Sequence, residues 1–108
     1  MKQLEFDFNA RKGLVDIIEE YEEFKKFDKV WDAVRYAEKN EPKKGIRIKN
    51  RFYIPKNKRE LQAQLCSMYP KSAYTILGMN SKQAMKAYLC IMYYRTKMED
   101  KIMELKLL

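Results

Sequence analysis

Leu14, Ile17, Ile18, Tyr21 and Phe24 recur at the three- and four-residue spacing that puts side chains on one helical face. Phe27 prolongs the stripe, while Glu19, Glu20, Glu22 and Glu23 fall mainly off it. Asn9 has the side chain to cap such a helix. Ahead of it, Leu4, Phe6 and Phe8 alternate with Glu5 and Asp7, the period of a half-buried strand or an extended docking peptide. A second helix is expected to open at Asp28, to carry Val30, Trp31, Val34 and Tyr36 or Ala37 inward, and to end near Asn40 before Pro42.

The period changes between Gly45 and Pro55. With a three-residue turn at 49–51, Ile46, Ile48, Phe52 and Ile54 share one face of a short β-hairpin. A two-residue turn would mix Ile48 with Arg51 on that face. The hairpin leaves Arg47 and Tyr53 on its outer side and Lys49, Asn50 and Arg51 at its tip.

Helical spacing then returns. Asn57 with Glu60 fits a capping-box start, and Leu61, Leu65 and Met68 form the stripe of a helix that stops before Pro70. Residues 72–77 suit a short helical turn ended by Gly78, and Asn80 or Ser81 caps a last helix. Its apolar positions include Met85, Tyr88, Leu89, Met92, Met98, Ile102 and Leu105. Such a broad Met-rich stripe serves a core, a partner helix or a second copy. The fold class expected is therefore α+β, mainly α, with about four helices and one hairpin near residues 45–55.

Length and composition add limits. A chain of 108 residues, 46% apolar and with fourteen aromatics, builds the core of one domain. That domain divides into an acidic helical part (1–40), a basic hairpin segment (41–59) and a helical part (57–106). The first residues lack the apolar core of a signal peptide, and no run approaches the roughly 20 apolar residues of a membrane span, so the expected location is the cytoplasm. Cys66 and Cys90, in helical context and without metal-ligand spacing, read as reduced packing residues.

Charge separates the parts. Residues 1–40 hold eight Lys/Arg against ten Asp/Glu, and residues 41–108 hold fifteen against five, so a net −2 precedes a net +10. From Pro42 to Arg59 there are eight basic residues and no acid. Like charges this dense call for a polyanion or for wide solvation. Lys43, Lys44, Arg47, Lys49, Arg51, Tyr53, Lys56, Lys58 and Arg59 are the candidate nucleic-acid contacts, joined by Lys82 and Lys86 if the last helix faces the same way.

The chemistry of catalysis is thinly represented. There is no histidine, and Gly13, Gly45 and Gly78 form no phosphate-cradling loop. Asp16, Glu23 and Lys25 supply the residue types of metal-dependent nucleases, but in one helical run instead of on adjacent strands. No enzyme, metal or cofactor is expected.

Three resemblances extend this reading. Leu61 and Leu65 on one helix, Gly78 in the connection, and Ser81, Lys82 and Lys86 opening the next resemble the helix-extension-helix modules of the SAP type. That similarity covers residues 56–89 and implies DNA binding. Gln3, Phe6 and Phe8 resemble the short peptides by which replication proteins dock onto a bacterial sliding clamp, which implies a protein-binding role. In size and Lys-rich style the chain is similar to small phage or mobile-element accessory proteins, some of which antagonise host defence nucleases as anti-CRISPR proteins do.

Two functions follow. One is a non-enzymatic nucleic-acid-binding accessory or regulatory protein. The other is a protein-binding inhibitor or adaptor using Gln3, Phe6 and Phe8 or the Met92, Met98 and Ile102 face of the last helix.

Overall fold

The computed structural model describes residues 2–40 and 53–107, with side chains from residue 13 onward. Among these residues there are five α-helices and no strand: α1 (Lys2–Lys25), α2 (Val30–Asn40), α3 (Lys58–Met68), α4 (Ala73–Leu77) and α5 (Ser81–Lys106), with a 3-10 turn at Pro70–Ser72. The chain forms two compact units, one of Met1–Lys26 with Arg95–Leu108 and one of Phe27–Tyr94. No described helix is long and apolar enough to cross a membrane.

The α+β expectation is corrected: among the described residues the fold is all-helical. The first arm of the expected hairpin, its tip and Phe52 lie outside the described residues, and Tyr53, Ile54 and Pro55 of the second arm have irregular backbone without a strand partner. The alternation of Leu4, Phe6 and Phe8 also misleads, because α1 begins at Lys2 and Asn9 lies inside it. Three alternating residues are a short signal. No proline interrupts residues 2–25, and extending an existing helix avoids the cost of nucleating a new element.

In the unit formed by α1 and the end of α5, Tyr21, Phe24 and Met98 are buried, and Leu14, Ile17 and Ile18 are half-buried. Tyr21 ties the helices together across seventy-eight positions by donating its O–H to Glu99 Oε1 at 2.6 Å. The phenol is pushed above its ordinary value first by burial and then by the Glu99 bond, against an opposing contribution from Arg95. Lys25 Nζ sits 4.2 Å from the centroid of the same ring.

The unit from Phe27 to Tyr94 has the larger share of fully buried side chains. Val30, Ala33, Val34 and Ala37 give α2 one continuous inward face, and Leu61 and Leu65 do so for α3. Pro55, Tyr69, Ile76 of α4, Met79, and Ala84, Ala87, Tyr88, Cys90, Ile91 and Tyr94 of α5 are buried with them. The Tyr36 ring meets Phe27 at 5.4 Å and Tyr94 edge-on at 5.7 Å, favourable aromatic geometries. Cys90 is buried and Cys66 half-buried, both as free thiols, and burial is the main cause pushing the Cys90 thiol up.

Helix ends in this unit are closed by side chains. Asn57 Oδ1 accepts from Glu60 N–H at 2.8 Å, which bears out the expected start of α3. Asn80 and Gln83 cap α5 reciprocally, with Gln83 N–H donating to Asn80 Oδ1 at 2.8 Å and Asn80 N–H donating to Gln83 Oε1 at 3.0 Å. The Gln62 amide nitrogen lies 3.2, 3.3 and 3.1 Å from the carbonyl oxygens of Ile76, Leu77 and Met79, supplying a donor to the carbonyls where α4 stops.

Candidate nucleic-acid interface

The basic run of the sequence enters the described structure at Tyr53, and local packing fixes it from there. Tyr88 O–H donates to the Tyr53 carbonyl at 2.6 Å. Pro55, two residues on, is fully buried, and Asn57 then caps α3. This path turns Lys56, Lys58 and Arg59 outward at the start of α3, where all three are exposed. Tyr53 has its backbone held yet leaves 65% of its surface in solvent. Its hydroxyl is 3.4 Å from Glu60 Oε2, too long for a strong hydrogen bond. Burial pushes the Tyr88 phenol up, with Tyr53 a second cause.

Gln62 ties α3 to the end of α4. Lys58 and Arg59 lie four and three residues before it, on the same side of α3. The reach of Gln62 to the carbonyls of Ile76 and Leu77 fixes this part of α3, one turn after the two cations, against the end of α4.

The remaining expected contacts divide. Lys82 is exposed in the first turn of α5. Lys86 is exposed but pairs with Glu38 at 2.9 Å, which raises its pKa and offsets its charge. Lys71 likewise meets Asp28 at 3.0 Å. Lys43, Lys44, Arg47, Lys49 and Arg51 lie outside the described residues. Among the described residues, Lys56, Lys58, Arg59 and Lys82 have no carboxylate within ion-pair distance.

The expected N-terminal docking peptide is helical instead of extended, and the expected Met-rich face of α5 is not exposed as a whole. Gln3, Phe6 and Phe8 belong to the helical backbone of α1. Met98 is only 3% exposed, so it is a core residue, and Met92 and Ile102 are half-buried. Broad apolar spacing on α5 could not separate these fates, because both units draw on that helix. Asp16 and Glu23 are exposed on α1. Residues 56–89 comprise α3, the 3-10 turn, α4 and the first part of α5, so helical turns occupy the connection.

Sequence reasoning missed two exposed apolar residues. Tyr74 and Leu77, one turn apart on α4, are 95% and 64% exposed around the buried Ile76. A five-residue helix offers too few positions for periodicity to say which side is buried.

The division into units sharpens the charge asymmetry. Phe27–Tyr94 contains fourteen Lys/Arg and five Asp/Glu, a net +9, whereas the other unit contains nine and ten, a net −1. No protein-family model matches the chain, and no curated protein or solved structure matches it either.

Proposed function

We propose that this chain is a non-enzymatic nucleic-acid-binding accessory or regulatory protein whose Phe27–Tyr94 unit contacts phosphates. The observation that carries the reading is the exposed set Lys56, Lys58, Arg59 and Lys82, without carboxylate partners among the described residues, in a unit of net charge +9. Burying the apolar core does not require these cations, and their mutual repulsion disfavours the fold until an anion neutralises them. Phosphates do so with release of counterions. Lys43, Lys44, Arg47, Lys49 and Arg51 add to the same charge in the sequence.

Titration of labelled duplex DNA, single-stranded DNA and RNA with the purified chain at several salt concentrations tests the proposal. The expected result is affinity that falls log-linearly with salt, and falls further when Lys56, Lys58 and Arg59 are all replaced by Glu, with unchanged helicity. Absence of binding at low salt refutes it.

A second reading, a protein-binding inhibitor or adaptor, draws support from the exposed apolar pair Tyr74 and Leu77, of which tyrosine is a residue type that anchors protein interfaces. Replacing both with Ser is expected to abolish function under this reading and to spare it under the first.

A further inference from the structure

We infer that Tyr53 is a stacking platform for an unpaired base, so that the polyanion taken at this surface is a single-stranded nucleic acid. The inference rests on the phosphate-binding reading above and adds the state of the strand.

Exposed tyrosines are common, but this one combines an open ring with a fixed main chain. Its carbonyl accepts the Tyr88 hydroxyl, Pro55 is buried two residues later, and the chain passes directly into the capped first turn of α3. Anchoring of this kind removes much of the backbone ordering that stacking would otherwise require. The Glu60 contact touches the ring only at its hydroxyl rim.

The charges that follow Tyr53 in sequence are of two kinds. Lys56, Lys58 and Arg59 are exposed and suited to phosphates, while the Glu60 carboxylate repels them. A strand laid across Tyr53 is therefore expected to place its phosphates toward the three cations and to present a base, which is uncharged, to the ring. Duplex DNA hides its base faces inside the stack, so it can use the cations but not the tyrosine. An unpaired strand can use both, and base–aromatic stacking tolerates any base.

The test is fluorescence anisotropy of the full chain with a labelled oligothymidylate, the same backbone made abasic throughout, and a duplex of equal length. Wild-type protein is expected to bind the oligothymidylate more tightly than the abasic strand. Tyr53→Leu, which keeps apolar bulk without an aromatic face, is expected to weaken oligothymidylate binding by about 5- to 150-fold. It should leave the other two ligands within about twofold, and Tyr53→Phe should bind like wild type.

Equal wild-type affinity for the oligothymidylate and the abasic strand overturns the inference without recourse to any variant. An equal loss on all three ligands in Tyr53→Leu, or no loss on any, also overturns it while leaving phosphate binding in place. If the wild-type chain binds none of the three at low salt, stacking and phosphate binding both fall.

Discussion

Ser72 Oγ lies 3.1 Å from the backbone nitrogen of Val30, forty-two residues earlier, and accepts its N–H at the start of α2. The same hydroxyl donates to the Asp28 carbonyl at 3.2 Å. Ser72 is only 7% exposed, so one small polar side chain closes the helix end and ties it to the 3-10 turn. Replacing it leaves a buried donor and a carbonyl without these partners. Ser72→Ala is expected to cost about 1–2 kcal/mol in urea unfolding. Lys71→Ala, which removes the exposed pair with Asp28, should cost less than about 1 kcal/mol. Equal costs would show that the hydroxyl is not the important link.

Two glycines separate backbone need from habit. Gly13 is inside α1, and a Cβ there would meet nothing within 4 Å. Gly13→Ala is expected to stabilise the protein by about 0.5–1 kcal/mol through helix propensity. Gly78 ends α4 with φ −83° and ψ −6°, and an added Cβ would be 3.5 Å from the Thr75 oxygen, an ordinary contact. Gly78→Ala should therefore fall within about 1 kcal/mol of wild type in thermal or urea melts. A large destabilisation would mean that the turn needs glycine after all.

Methionines on α5 are expected to differ by position. Met98 is buried, whereas Met103 is exposed. Met98→Ala should cost about 2–4 kcal/mol, and Met103→Ala no more than about 0.5 kcal/mol. Comparable costs in denaturant titrations would contradict the burial pattern.

Stability is expected to fall at alkaline pH. Burial raises the pKa of Cys90, Tyr88 and Tyr21, so the folded chain holds these protons more tightly than the unfolded chain does. Their contribution is complete below the unfolded values, about 8.5 for Cys and about 10 for Tyr, and is lost as pH rises through the folded values. Urea melts at increasing pH should show the decline, and Cys90→Ala should flatten its first part despite a lower absolute stability. A profile that rises with pH in this window would reverse the sign.

Much of the helical structure could be read locally. The stripes of α2 and α3, the cap at Asn57 and the start of α5 at Asn80 depend on residues within a turn or two of one another. Exposure of Lys56, Lys58 and Arg59 was also expected, because a buried unpaired cation is too costly to keep. Leu4, Phe6 and Phe8 were harder, since their alternation is compatible with strand spacing until continuity with the rest of α1 decides for helix.

The sequence by itself determined the helical stripes, the caps at Asn57 and Asn80 and the strong positive charge after residue 40, because spacing, capping chemistry and charge belong to the chain before it folds. Tertiary structure decided which methionines of α5 are buried, that Ser72 caps a helix from forty-two residues away, and that Tyr88 holds the backbone beneath an open Tyr53 ring. These outcomes depend on atoms distant in sequence, and packing alone settles which of them meet.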